Sequence, residues 1–235
     1  MKLNKDVTVL QIPMDPDGPI MNLSVIHDPV HGLTLVDTAL PGQTDLIARA
    51  LEAHGLSLDA VRQIVLTHQD IDHVGSASDL KDRLGIPVYA LADEVPYIDG
   101  RITPIKFPSA ERLVQNPNMA EKMRHYRPTA VDIAVQDCQI LDKCAGARVV
   151  ATPGHTPGHM CLYLPGSKTL IAGDALTSDS GALNGPSERA TPNMQLAMES
   201  VRNLAELDID TIVCYHGGVV SDQASDQISR LVAGF

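Results

Sequence analysis

The stretch "THQDIDHVG", residues 67–75, gathers two histidines and two aspartates between His68 and His73, directly after the apolar run Ile64, Val65 and Leu66. The apolar run reads as a buried strand, and "SASDLKDRLG" (76–85) resumes as a helix. The cluster therefore occupies a strand-to-helix loop. Imidazole nitrogens and carboxylate oxygens placed together are the groups that hold zinc and related divalent ions.

Working outward, short strands precede the cluster at 7–12 ("VTVLQI"), 22–27 ("NLSVIH") and 33–38 ("LTLVDT"), separated by Pro, Gly and Asp, as in a meander. "TDLIARALEAHG" then takes helical spacing, with Thr44 expected as N-cap and Gly55 as stop. "IPVYAL" is a strand. Residues 92–145 lack a clean strand until about "CQIL" and read as an insertion. "ARVVATPG", "CLYLP" and "KTLIAGD" give three more strands. "TPNMQLAMESVRNLAELD" is a helix with Thr191 before Pro192 in its first turn, "TIVCYHGG" a strand ending in His216, and "SDQASDQISRLVAGF" a closing helix. Strand–helix units in both halves predict an α/β (α+β) chain of two mixed sheets packed face to face with helices outside, as one domain over 1–235.

Composition narrows the function classes. Hydrophobic residues make up 44% and charged residues 20% of the 235, which fits a globular domain and not a disordered chain. A formal charge of -11, with no stretch dense in Lys or Arg, argues against nucleic acid and anionic membrane as partners. The start "MKLNKDVTVLQIPMD" reads as a strand rather than an export signal, and no apolar run approaches the roughly 20 residues of a membrane span. Cys138, Cys144, Cys161 and Cys214 show no C-x-x-C spacing, which suits reduced thiols in a cytoplasmic protein. With two Phe and no Trp, the core has to be built from aliphatic side chains.

Three more segments share the feature of the opening stretch: His155 in "TPGHTPGH", Asp174 in "IAGDAL" and His216 in "CYHGG" each fall where a strand ends. Any one of these histidines alone is more readily a surface or core residue; their grouping favours metal. Seven donors exceed what one tetrahedral ion takes, and two ions sharing a carboxylate would use them all.

In order and spacing, "THQDIDHVG", "TPGHTPGH", "GDAL" and the late "HGG" resemble the metallo-β-lactamase superfamily over nearly the whole chain. The resemblance implies a four-layer αββα sandwich with a helical lid insertion at about 92–145. It implies that His68, Asp70 and His155 hold one metal, Asp72, His73 and His216 the other, and that Asp174 bridges them. "VDT" resembles the family's D-T-G turn, so Asp37 is expected to brace the loop, with Ala39 in place of the usual glycine. Asp70 stands where most members carry histidine; a carboxylate there shifts preference toward manganese or iron, while zinc remains the first expectation.

The implied chemistry is hydrolysis by a hydroxide shared between two metals, with Asp72 orienting it and passing a proton to the leaving group. The substrate expected is a small ester or lactone, as in quorum-quenching lactonase-like members. A phosphodiesterase or phosphotriesterase is the nearest alternative, kept open by Arg124 and Arg127; an iron-dependent oxidoreductase or a non-catalytic metal-binding module is an alternative of another class. Tyr97, Ile98, His125 and Tyr126 are candidates for an apolar lid wall. His159 is expected to support the ligands, with a packed turn residue as its alternative, and Cys214 reads as a buried structural thiol. A homodimer is left open as the assembly.

Overall fold

The computed structural model describes residues 1–234. β1 (Val7–Pro13), β2 (Ile20–Asp28) and β3 (Gly32–Val36) form the expected antiparallel meander. α1 (Thr44–Glu52) then returns the chain so that β4 (Val61–Leu66) lies parallel to β3. α2 (Ile71–Val74) and α3 (Ala77–Leu84) lead into β5 (Val88–Leu91), parallel to β4. α4 (Val95–Ile98), α5 (Ala110–Gln115) and α6 (Pro117–Met123) follow, and β6 (Ile133–Val135) closes a six-stranded sheet ordered β1-β2-β3-β4-β5-β6.

The second sheet takes β7 (Ile140–Leu141), β8 (Ala147–Ala151), β9 (Met160–Leu164) and β10 (Thr169–Ile171). A separate hairpin, β11 (Thr177–Asp179) with β12 (Ala182–Asn184), precedes α7 (Met194–Leu204). β13 (Thr211–Cys214), β14 (Gly218–Val220) and α8 (Ala224–Ala233) complete the chain, and the sheet order is β14-β13-β10-β9-β8-β7.

Period-2 alternation sorts the strand residues into layers. In β1, Leu10 and Ile12 face α1 and α3 through Ile47, Leu51, Ala77 and Leu80, whereas Val7 and Val9 face the other sheet. Between the sheets, Val9, Ile26, Val36 and Val65 meet Val149, Leu162, Ile171 and Val213. Beyond the second sheet, Leu170, Ile212 and Cys214 pack on Val201, Leu204 and Ile228 of α7 and α8. Three buried interfaces make four layers, as the sequence predicts, with both sheets mixed.

Local differences from expectation have identifiable causes. Gln43, not Thr44, precedes α1, and Thr44 is its first helical residue. α7 starts after Asn193, whose side chain accepts from the Leu196 amide, so the helix begins later than Thr191–Pro192 suggests. β13 stops at Cys214, leaving His216 in the turn to β14. The insertion over 92–145 is narrower than expected: β6 and β7 lie inside that range but belong to the edges of the two sheets, β7 falling on the expected "CQIL" and β6 being too short to show a period. Cys144, Cys161 and Cys214 are buried thiols, and burial pushes the latter two up to about 12. Among the described residues no helix is long and apolar enough to cross a membrane.

Two positions give stability predictions. Asp28, at the end of β2, accepts from the amides of Val30, His31 and, across the sheets, Ala145 at 2.8–2.9 Å. Burial alone would raise its carboxyl; the amides of His31, Ala145 and Val30 and the His31 ring outweigh it and hold the group at about 2. A depressed carboxyl stabilises the fold above its unfolded pKa and loses that contribution as pH falls through the folded value. After allowance for solvent screening, Asp28→Asn should cost about 1 kcal/mol at pH 7, the difference from wild type vanishing between about pH 4 and pH 2 in urea melts.

Gly154 has φ +132°, and a Cβ there would lie 2.3 Å from the Ala197 nitrogen of α7. Gly154→Ala should therefore cost about 3 kcal/mol or more, read in the same melts, because helix and loop cannot both keep their places.

Candidate metal centre

Every donor segment leaves the C-terminal end of a strand at one edge of the two sheets: residues 67–73 after β4, 152–159 after β8, 172–174 after β10 and 215–216 after β13. Backbone hydrogen bonds tie these ends across the sandwich, Met160 N to Thr67 O at 3.1 Å and Asn22 N to Tyr215 O at 2.9 Å.

The structure brings all seven donors together. Single atoms of His68, Asp70, His155 and Asp174 lie within 4.8 Å of one another, and so do those of Asp72, His73 and His216. Asp174 faces both groups: Oδ1 is 3.3 Å from His73 Nε2, while Oδ2 is 3.3 Å from His155 Nε2 and 3.6 Å from His216 Nε2. Asp72 Oδ2 is 3.2 Å from His216 Nε2.

Three of the rings are oriented from behind. His73 Nδ1 meets Asp37 Oδ2 at 2.9 Å, His68 Nδ1 meets the Thr67 hydroxyl at 3.0 Å, and His155 Nδ1 meets the Thr191 hydroxyl at 3.3 Å. Each Nε2 is thereby turned to the centre. Asp37 also accepts from the Thr67 amide at 2.8 Å and from its hydroxyl. It has φ +63° and Ala39 φ +55°, so this turn takes the left-handed geometry a glycine would favour without having one. His159 accepts from the Asp174 amide through Nε2 at 3.0 Å and meets the Thr152 hydroxyl through Nδ1 at 2.7 Å, so its ring holds the Asp174 backbone.

The charge state follows from this crowding. Burial, followed by the neighbouring His73, pulls His68 down to about 4. For His73, burial acts in the same sense but is outweighed by Asp174, Asp37 and Asp72, which raise it well above the usual histidine range. Burial would raise Asp174, yet His73 and the other imidazoles hold it well below the ordinary carboxylate range.

A cation fits this set on an observation independent of any motif. His68 Nε2, His73 Nε2, Asp70 Oδ1 and Asp174 Oδ1 are buried without a hydrogen-bond partner, although a buried polar atom left so costs about 1–3 kcal/mol. Four such atoms in one constellation are the lone pairs that a divalent ion would satisfy.

The lid candidates separate. Ile98 is 1% exposed and packs in the core under the first sheet, so it is no part of a substrate wall. Tyr97 is half-buried and lines none of the clefts beside the donors. His125 is exposed and stands over Gly42, in a surface cleft away from them. Only Tyr126 reaches the site, stacking on Phe107 at 5.6 Å in a small cleft that also touches Asp70. The apolar wall comes instead from Ile105, Pro157, Pro192 and Leu196, which with His155 line a cleft of about 200 Å³.

Several residues with a place in the site were not among the sequence candidates. The Tyr215 ring stacks on His73 at 3.8 Å, and its hydroxyl donates to the Asp72 carbonyl at 2.5 Å. Gln69 accepts from Ile105 N at 2.7 Å and donates to Glu94, whose other oxygen accepts from Gly158 N at 2.7 Å. Glu94 is fully buried, and burial raises its carboxyl despite these bonds. Lys106 forms an ion pair with Asp70. Adjacency to His216 and His68 could have flagged Tyr215 and Gln69; Glu94 and Lys106 come together with the site only in three dimensions.

Comparison with known proteins agrees with this geometry. The chain is 28% identical over 207 residues to "Probable metallo-hydrolase YflN" of Bacillus subtilis (strain 168), covering 80% of this chain and 76% of that protein. It is 30% identical over 152 residues to a hydroxyacylglutathione hydrolase of Rhizobium meliloti (strain 1021), covering 65% of this chain but 46% of that longer protein. A crystal structure of a metallo-beta-lactamase family protein from Thermus thermophilus superposes with a TM-score of 0.72 at 25% identity, over 99% of this chain and 80% of that one. The family model described as the metallo-beta-lactamase superfamily matches residues 21–216, a span that takes in all seven donors, and the chain belongs to that superfamily.

Proposed function

We propose that this chain is a dinuclear metal-dependent hydrolase acting on a small ester or lactone carbonyl. The observation that carries the reading is the convergence of seven imidazole and carboxylate donors with four buried atoms lacking partners. His68, Asp70 and His155 would hold one cation, Asp72, His73 and His216 the other, and Asp174 both, with zinc the first choice and manganese or iron favoured by the extra carboxylate. Bound there, such ions supply Lewis acidity and a water acidic enough to act as a nucleophile near neutral pH.

The chain's own groups do the rest. Asp72, at the partly open face, accepts a proton from the attacking water and delivers it to the leaving alkoxide. Tyr215 holds the Asp72 backbone, so that carboxylate keeps its aim. The cleft of Ile105, Pro157, Pro192 and Leu196 beside His155 offers an apolar surface to the alkyl part of the substrate, which supports an ester over a phosphodiester. The arginines that would favour a phosphodiester are engaged elsewhere, Arg124 with Glu121 and Arg127 with Asp79 and Asp82.

Elemental analysis of the purified protein should find about two divalent ions per chain, and a panel of esters, lactones, thioesters and phosphoesters should show carbonyl hydrolysis. Asp72→Ala should lower kcat/KM by about two to four orders of magnitude; undiminished turnover in that variant would remove the mechanism. Asp37→Asn should weaken metal binding by about tenfold to a hundredfold in a chelator competition, because the His73 ring loses the anion that orients it.

A further inference from the structure

Lys106 comes from the segment between α4 and α5 and reaches into the donor cluster. Its ammonium pairs with Asp70 Oδ2, lies 2.6 Å from His155 Nε2, and donates to the carbonyls of Ala190 at 3.0 Å and His155 at 3.4 Å. The backbone beside it is pinned, because Ile105 N donates to Gln69 and Gln69 is braced by Glu94. Among the described residues, Lys106 is the only lysine or arginine in an ion pair with any of the seven donors. Its partner is the only carboxylate in the 68–155 group apart from the shared Asp174.

The two oxygens of Asp70 differ. Oδ2 carries the lysine and also meets His155 Nε2 at 3.0 Å and His68 Nε2 at 3.3 Å, whereas Oδ1 is buried with no hydrogen-bond partner. A carboxylate with one oxygen neutralised by an ammonium and the other left free presents a donor of nearly zero net charge, as an imidazole does.

Resting on the dinuclear reading above, we propose that Lys106 is a positioning and charge-balancing residue for Asp70. It orients the carboxylate and cancels its negative charge, so that the first cation keeps an electrophilicity that an unbalanced carboxylate would take away. The lysine touches the donor through Oδ2 and is itself held by the Ala190 carbonyl, while Oδ1 stays unengaged.

The test is zinc binding, measured by competition with a chromophoric chelator and by stoichiometry at fixed pH, with hydrolysis as a separate readout. Removing the ammonium leaves the site more negative, so Lys106→Met should bind the first-site zinc about tenfold tighter or more, still at two equivalents. Lys106→Arg keeps the charge and should stay within about threefold of wild type by the same Coulomb argument. Asp70→His leaves the lysine unbalanced and should weaken that zinc about tenfold, and Asp70→His combined with Lys106→Met should return it to within about threefold of wild type.

Unchanged or weaker binding in Lys106→Met overturns the proposal, as does a double variant as weak as Asp70→His alone. So does a wild type with one equivalent whose Lys106→Met variant takes two, because the lysine would then exclude an ion rather than balance a ligand. A wild type that binds no zinc brings down the dinuclear reading as well; two equivalents with indifferent variants bring down the proposal alone.

Discussion

The architecture depends on one carboxylate held under the strand ends. Asp37 receives the Thr67 amide and hydroxyl and the His73 ring at once, and so joins the end of β3 to the loop after β4. Those groups are buried, and the carboxylate is tolerated there because the Thr67 amide, the Thr67 hydroxyl and the His73 ring all meet its oxygens. Around it the sheets need do little more than bring the ends of β8, β10 and β13 to the same level. Met160 to Thr67 and Asn22 to Tyr215 supply that alignment with ordinary backbone bonds.

The donor set is an unfavourable arrangement by itself. Four imidazoles and three carboxylates share one mostly buried space, where burial pulls His68 down while the neighbouring carboxylates raise His73. Such a cluster belongs to the class of local conflicts that a fold retains where it performs chemistry, with the surrounding layers supplying the stability. The layers do so conventionally, through aliphatic alternation in β1, β4 and β10 and through amphipathic helices on both outer faces.

Much of this is legible in the sequence for a physical reason. Ile64, Val65 and Leu66 alternate between two buried faces, so the strand before the cluster shows as a continuous apolar run, and its end locates His68 to His73. His155, Asp174 and His216 are legible because each follows such a run directly. What stays hidden depends on three-dimensional meeting. Ile98 has the composition of a lid and the environment of a core, and only the packing of α4 decides between them. Glu94 and Lys106 act on loops dozens of residues away, and no periodicity reports a contact of that range. β6 and the β11–β12 hairpin leave no mark because strands of three residues carry too little pattern, whereas β7 shows only as the apolar end of "CQIL".

Those short flanking strands have a consequence for how such a chain can change. β6 pairs with the edge of one sheet and β7 begins the edge of the other, so the excursion that leaves after α4 is stapled to the scaffold where it returns. Loop closure entropy grows only slowly with length, so the exposed turns between Asp99 and Ala130 can be lengthened or shortened at small thermodynamic cost, Ile105 and Lys106 excepted because they are tied to Gln69 and Asp70. The outer turns of this excursion are therefore free to diversify, while the donors, whose anchors lie almost wholly in strand ends, stay put.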